Sequence, residues 1–368
     1  MRIFRADLAK NVALSFISTA LLLFLLEMVL RVTEVVPVRS LEYATPEMWK
    51  TNPGPLRPGH SYADKFKRGL PYRVTVNNLG FRGRDVPLVK QPGALRVLCL
   101  GDSYTFGAYV DDEETWPAQL ESALSELIPS RPLEVINAGI SGFTIVDELD
   151  FVKEQGLGLE PDLVVVAFVL NDLADLTRRV SSREMLKRSS VENASFPMGP
   201  IKARLRQTAI YNALFLIKAY VRRSTGSDPT IQQVDIRHLL APPYDQATLD
   251  LFERYEQHLG EMKRLLDSNK TPLVLLVFPY WEQISKGASD EAQRRLAAIA
   301  AKLELPVVDL LPAYRRHDPT GRRFFHMPWD HHPSARGYRR AARELSASIE
   351  PLIGSAGLLQ PPASEPGP

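Results

Sequence analysis

Four short stretches of this chain carry residue types suited to acyl chemistry. The first is Gly101-Asp102-Ser103-Tyr104-Thr105-Phe106-Gly107. A serine two residues after a glycine can sit on a tight turn, its hydroxyl exposed and its own N–H aimed at developing negative charge. The same residues also suit a plain polar turn in which Asp102 or Ser103 caps a helix. The second stretch, Asn137-Ala-Gly-Ile-Ser-Gly142, holds glycines whose N–H can approach a substrate with no side chain in the way. The third, Asn171-Asp172, offers a carboxamide as a further donor to an oxyanion. Turn chemistry accounts for either of these taken alone. The fourth, Trp329-Asp330-His331-His332-Pro333-Ser334, supplies a carboxylate and imidazoles, the orienter and general base that a serine nucleophile needs. Asp330 and two adjacent histidines could instead be metal ligands. Adjacent His side chains rarely converge on one ion, however, and no acidic cluster accompanies them.

These stretches matter only if something brings them together. Short apolar runs rich in Val, Leu and Ile lie at 96–100, 133–137, 162–170, 272–279 and 306–311. Such runs suit strands buried on both faces of a parallel sheet. Helical patterns separate them, at 115–128, 146–157, 247–267 and 289–303, with a last one near 334–349. The alternation predicts right-handed crossovers and a doubly wound α/β sheet. Three of the four stretches then fall at carboxyl ends of strands, where open α/β sheets bind ligands. Residues 173–245 break the rhythm as an insertion with basic residues at Arg178, Arg179, Arg183, Lys187, Arg188, Arg222 and Arg223 and an amphipathic piece near Ala209–Val221. A solvated surface is the plain reading of that basic insertion; contact with anionic lipid or an acidic polymer is the other.

The order Ser, Gly, Asn, then Asp-x-His before Pro resembles the SGNH hydrolases, also called GDSL-type esterases. That resemblance covers about residues 95–350, apart from the insertion. It implies a flavodoxin-like three-layer sandwich with a five-stranded parallel sheet, Ser103 as nucleophile, His332 as base and Asp330 as its orienter. It also implies an oxyanion hole from the N–H groups of Ser103 and Gly142 and the side chain of Asn171. Gly142 rather than Gly139 fits the family's register from Asn137. Tyr104 stands where Leu is frequent, Leu170 stands where Gly often precedes Asn-Asp, and Asp lies two rather than three residues before His. The shorter form, with the upstream stretch Asn77-Asn78-Leu79-Gly80-Phe81-Arg82, is similar to a membrane-tethered bacterial subset. Some of its relatives acetylate or deacetylate cell-surface polysaccharides.

The local geometry also discriminates among His326, His331 and His332. In an extended loop His332, two residues on, shares a side with Asp330, whereas His331 points away. Pro328 disfavours a helical turn linking His326 to Asp330. Pro333 is expected at the first position of the helix that follows.

The chain has 368 residues, 45% hydrophobic and 24% charged, with a net charge of +2, an ordinary globular composition without the basic excess of a nucleic-acid binder. The single cysteine, Cys99, excludes an intramolecular disulfide framework and a Cys-cluster metal site. Asn11–Leu30 is apolar except for Glu27 and long enough to cross a bilayer. Arg2, Arg5 and Lys10 precede it against one acid, Asp7, which predicts a cytoplasmic N-terminus and everything beyond Arg31 outside. A cleaved signal peptide is the alternative; the stretch is long for one and no clear small-x-small site follows.

The expected organisation is therefore a tip and anchor over 1–31, a juxtamembrane segment over 32–94 and a hydrolase domain over 95–353 with its insertion at 173–245. A disordered tail over 354–368 completes it. The expected activity is hydrolysis of an O-acyl ester, acetyl above all, on a small molecule or cell-surface glycan, with no cofactor, no metal and no nucleic acid. An O-acyltransferase would use the same residues but needs a membrane partner to deliver its acyl donor. A non-catalytic glycan-binding or scaffold protein on the same fold is the third reading.

Overall fold

The computed structural model describes residues 2–33, 53–66, 70–177, 182–184, 205, 208–224, 236–327 and 330–355. Arg178, Arg179, Lys187 and Arg188 of the basic insertion, and the tail from residue 356 onward, lie outside them. In chain order the elements are α1 (Arg2–Thr33), β1 (Ser61–Phe66), β2 (Leu70–Thr75), β3 (Leu95–Leu100), α2 (Ser103–Phe106), α3 (Trp116–Leu127), β4 (Leu133–Asn137), α4 (Ile145–Phe151), β5 (Leu163–Phe168) and α5 (Leu170–Asp175). There follow α6 (Ala209–Ser224), α7 (Ile236–Leu239), α8 (Gln246–Ser268), β6 (Leu273–Val277), α9 (Trp281–Ser285), α10 (Glu291–Lys302), β7 (Val307–Asp309), α11 (Leu311–His317) and α12 (Ala335–Ser355).

The chain divides into two compact units, one of residues 1–41 with 192–229, the other of 42–191 with 230–368. In the first, α1 includes the 24 residues Lys10–Thr33, whose most apolar window has a mean hydropathy of 2.3 and is not buried at any residue. A core helix of a soluble domain would hide such a surface. α6 packs beside α1 in the same unit.

The second unit is built on a five-stranded sheet of order β4-β3-β5-β6-β7, every neighbouring pair parallel. This is the flavodoxin-like arrangement. Every residue of β3, β5 and β6 is buried, which is why these strands read as unbroken apolar runs. The chain leaves β3 toward β4, then returns past it to β5, so right-handed crossovers place helices on both faces. α3 packs with α12, and α4 with α8. The reversal puts a crevice at the carboxyl ends of β3 and β5, where ligands bind in open sheets of this kind.

Upstream of the sheet, β1 and β2 form an antiparallel hairpin, from Ser61 opposite Thr75 to Phe66 opposite Leu70. β2, Leu70–Thr75, covers most of Tyr72–Val76, whose alternating residues suit a strand. The turn at Asn77–Gly80 closes with the Gly80 N–H donating to Asn77 O at 3.0 Å, while Asn77 Oδ1 accepts from the N–H groups of Leu79 and Phe81. Gly80 has φ +79°, and a Cβ there would lie 2.7 Å from Gly54 O. Arg82 then forms isolated bridges to Val76 and to Asn137 at the end of β4. This upstream segment therefore folds against the sheet rather than running free.

Candidate active site

β3 ends at Leu100 and the chain turns sharply through Gly101, φ +147°, where a Cβ would lie 2.1 Å from Thr105 Oγ1. Only glycine fits that turn. Asp102 caps α2, its carboxylate accepting the Tyr104 N–H at 2.8 Å. The capping role thus falls to Asp102, and Ser103 Oγ lies 2.8 Å from His332 Nε2. His332 Nδ1 in turn lies 2.5 Å from Asp330 Oδ1. An ionised carboxylate can only accept, so Nδ1 carries the proton and Nε2 presents a lone pair to the serine hydroxyl.

The segment joining Asp330 to His332 is not extended as the spacing suggests. Asp330 Oδ1 also accepts the backbone N–H of His332 at 3.0 Å, an Asx-turn that folds the two side chains together within two residues. Nor does Pro333 open a helix: it bridges Phe325, and α12 starts at Ala335. The pairing with Phe325 holds Pro333 out of the helix, and the Ser334 hydroxyl accepts the Gly337 N–H at 3.4 Å, the geometry of a cap. Tyr104 Oη donates to His331 O at 2.8 Å and fixes this loop to α2. The His331 ring turns elsewhere, stacked on Tyr280 with Nδ1 3.6 Å from Glu282. His326 holds the loop by its backbone, donating to His332 O at 3.0 Å and accepting from the Asp330 N–H at 3.1 Å. Burial, above all, pushes the His326 imidazole down to about 4; nearby His332 adds to this and Asp330 opposes it.

Asn171 sits in the first turn of α5, beyond β5, and its Nδ2 donates to Asp102 Oδ2 at 2.7 Å across the crevice. An amide nitrogen carries two hydrogens, so one can orient the group while the other faces a substrate. Gly142 has φ +80°, and its carbonyl accepts from the Ser182 hydroxyl at 2.6 Å. Gly139 serves a different purpose. A Cβ there would lie 2.4 Å from Phe106 N, and its N–H donates to Asn137 Oδ1 at 3.1 Å. Two more carboxyls, Glu148 and Asp172, lie buried behind Asp102. Burial first, and the Asp102 charge second, push both well above the usual carboxylate range.

Two side chains at the site carry no sequence signal of their role. The Arg82 guanidinium is fully buried and all five of its N–H donors are used. Nε donates to Asp112 Oδ1 at 2.7 Å, Nη1 to the carbonyls of Phe106 and Gly107, and Nη2 to those of Val110 and Arg73. It ties the upstream hairpin to the segment just beyond the serine. Tyr109 holds φ +67°, rare for an aromatic residue, and sets its ring edge-on to His332 with centroids 5.3 Å apart. Of the basic insertion, Arg183 is buried, donating to Glu154 and Gln155, so it is not part of a solvated surface. Among the aromatics near strand ends, Tyr104, Phe106 and Phe143 are packed into the protein.

The chain matches the model of the GDSL-like Lipase/Acylhydrolase family over residues 99–340. No curated protein matches it. Among solved structures it is similar to a two-domain esterase (CEX) active on acetylated mannans, co-crystallized with mannopentaose, at 18% identity and TM-score 0.43, over 75% of this chain and 53% of that one. The chain thus spans about half the length of that esterase. It is also similar to Axe2, an acetylxylan esterase from Geobacillus stearothermophilus (18% identity, TM-score 0.41, 70% of this chain and 94% of that one). A third similar structure is the lipase/acylhydrolase from Enterococcus faecalis (17% identity, TM-score 0.43, 73% and 100%).

Proposed function

The chain belongs to the GDSL-like lipase/acylhydrolase family and is a serine esterase, and from that premise we propose that it is anchored in the cytoplasmic membrane by α1 and cleaves an O-acyl ester outside the cytoplasm. One observation carries the assignment of the site: the hydrogen-bonded run from Ser103 Oγ through His332 to Asp330, at 2.8 and 2.5 Å.

In the proposed mechanism Ser103 Oγ attacks the acyl carbon while His332 Nε2 takes its proton. Asp330 holds the imidazolium by its Nδ1–H. The carbonyl oxygen, now an oxyanion, receives N–H bonds from Ser103, Gly142 and Asn171 Nδ2. Gly142 is preferred to Gly139 because the Gly139 N–H is engaged by Asn137. Collapse breaks the acyl–oxygen bond, and His332 returns its proton to the departing alcohol. Water then attacks the acyl-enzyme by the same steps, releasing the acid and free Ser103.

The substrate proposed is a short acyl group, acetyl first, on a glycan. Tyr104 and Tyr109 both pack against His332, with centroids at 5.2 and 5.3 Å, and this crowding beside the imidazole favours a small acyl chain over a long one. The His331 ring, exposed and stacked on the buried Tyr280, offers a ring surface of the kind sugars pack against. The exposed apolar helix α1 and its basic N-terminal residues support the anchor and its orientation.

The test is labelling of the full chain by a fluorophosphonate, with acetate release from an aryl acetate and from acetylated surface glycans. Wild-type labelling that disappears in Ser103→Ala is the expected result. An unlabelled, correctly folded wild type would overturn the site. A reporter fused after Ile353 that works only in the cytoplasm would overturn the location.

A further inference from the structure

Glu27 is the one charged side chain within the apolar run, and it is bound at both oxygens by a second helix. Its Oε1 accepts the N–H of Ala209 at 2.8 Å and its Oε2 that of Ile210 at 2.9 Å, the first two residues of α6. Arg31, one turn further along α1, donates to the same carboxylate at 2.6 Å. These bonds explain how a carboxylate is tolerated there: it meets the unsatisfied N–H groups and positive end of a helix, with a guanidinium beside it.

The position of Glu27 fixes the depth of α6. The apolar run Asn11–Leu30 ends just before Arg31, so Glu27 lies three residues, about 4.5 Å, inside that end at the helical rise per residue. α6 therefore begins at a level within the apolar stretch rather than beyond it. That depth is close to the shallow end of what interfacial helices reach, about 5–10 Å into the boundary between headgroups and acyl chains.

The surface of α6 fits that medium. Ala209 and Asn212 are buried, whereas Leu214 is 61% exposed and Ile217 59% exposed, with Val221 following on the same face. These large apolar side chains recur at helical spacing, and the large apolar side chains of α1 from Val12 to Val32, apart from the half-buried Leu30, are exposed in the same way. Lys218 is exposed beside the stripe, and Arg222 and Arg223 lie near the helix end, the basic composition that suits anionic headgroups.

We propose that α6 is a second membrane-contacting element, latched to α1 through Glu27 and lying in the outer interface with Leu214, Ile217 and Val221 in lipid. This rests on reading α1 as the membrane anchor. The chain would then hold the bilayer by a spanning helix and a surface helix together, and part of the insertion would be a lipid-binding device.

The test uses the full chain in phosphatidylcholine–phosphatidylglycerol vesicles, spin-labelled at single introduced cysteines: Leu22→Cys, Leu214→Cys, Ile217→Cys and Lys218→Cys. The native Cys99 is buried in β3, and burial pushes its thiol well above the ordinary range, so it stays unlabelled. Collision rates with oxygen, which concentrates in hydrocarbon, are compared with those of a water-soluble nickel chelate. Positions 22, 214 and 217 should favour oxygen several-fold and position 218 the chelate. Chelate access at 214 and 217 while 22 favours oxygen would overturn the surface helix and leave the anchor standing. Chelate access at 22 as well would overturn the anchor and this proposal with it. Shielding of 214 and 217 from both reagents would mean that protein covers the face, and would overturn the lipid assignment.

Discussion

One oxygen of Asp330 receives two bonds from the same residue, His332: its ring Nδ1 at 2.5 Å and its backbone N–H at 3.0 Å. The backbone bond fixes the loop and the ring bond fixes the imidazole, so a single carboxylate sets both the position and the tautomer of the His332 ring.

That double role separates fold from chemistry. Asp330→Asn keeps an oxygen for the backbone N–H, so circular dichroism and Tm should change little. The ring loses its anionic partner, and kcat on an aryl acetate should fall roughly 10³–10⁴-fold, the scale seen when the acid of such a triad becomes an amide. His332→Ala should approach the defect of Ser103→Ala. His331→Ala and His326→Ala should keep most activity. A dead His331→Ala beside a near-normal His332→Ala would contradict the assignment.

Asn171 offers a test of the oxyanion donors. Asn171→Ala should reduce kcat roughly 10²–10³-fold with little change in KM, the usual effect of losing one such donor. Asn171→Asp should be worse, because it sets a second carboxyl against Asp102 Oδ2, where the amide now donates at 2.7 Å. Steady-state kinetics on both variants would decide this; equal kcat values for the two would show that Asp102 does not sense the group.

Arg82 should act at a distance from the substrate. Arg82→Lys retains the charge but has three donors on one nitrogen, which cannot reach the carbonyls of Arg73, Phe106, Gly107 and Val110 together. Buried carbonyls left without donors cost about 1–3 kcal/mol each. Urea unfolding should show a loss of several kcal/mol on that scale, and kcat should fall more than KM rises. Full stability with normal kcat would rule out a positioning role.

Glu148 predicts a pH-dependent stability. Its carboxyl is raised well above the usual range by burial, so the folded state holds a proton that the unfolded chain releases near pH 4. The stability contribution of such a group is fully present below the unfolded pKa and is lost as pH rises toward the folded one. Glu148→Gln mimics the protonated form at every pH. It should match wild type in Tm at pH 4 and exceed it at pH 8. His326 has the opposite sign: its lowered pKa means stability present above about 6.5 and lost as pH falls toward about 4. Both profiles are read from thermal melts across pH.

The central sheet was legible because β3, β5 and β6 are buried on both faces and so are written as unbroken apolar runs. β1 was not, since Ser61-Tyr-Ala-Asp-Lys-Phe66 lacks both such a run and a clear alternation. Asp330 and His332 meet as their spacing suggests, but through an Asx-turn, a local bond that brings residues i and i+2 together as an extended strand would. Arg82 was opaque for a different reason. Four of its five bonds end on backbone carbonyls, which every residue has, so no residue type marks its partners. The left-handed backbone at Tyr109 is likewise set by packing and leaves no trace in the residue's identity.

The five bonds of Arg82 also set the shortest fragment able to work. A protein trimmed to begin at Leu95 would retain Ser103, Gly142, Asn171, Asp330 and His332, every group assigned to the chemistry. It would lack the guanidinium that holds Phe106, Gly107 and Val110, and the Asn77–Gly80 turn and hairpin that carry it there. What reads from the sequence as a stalk between anchor and enzyme is, by this contact, the first part of the enzyme.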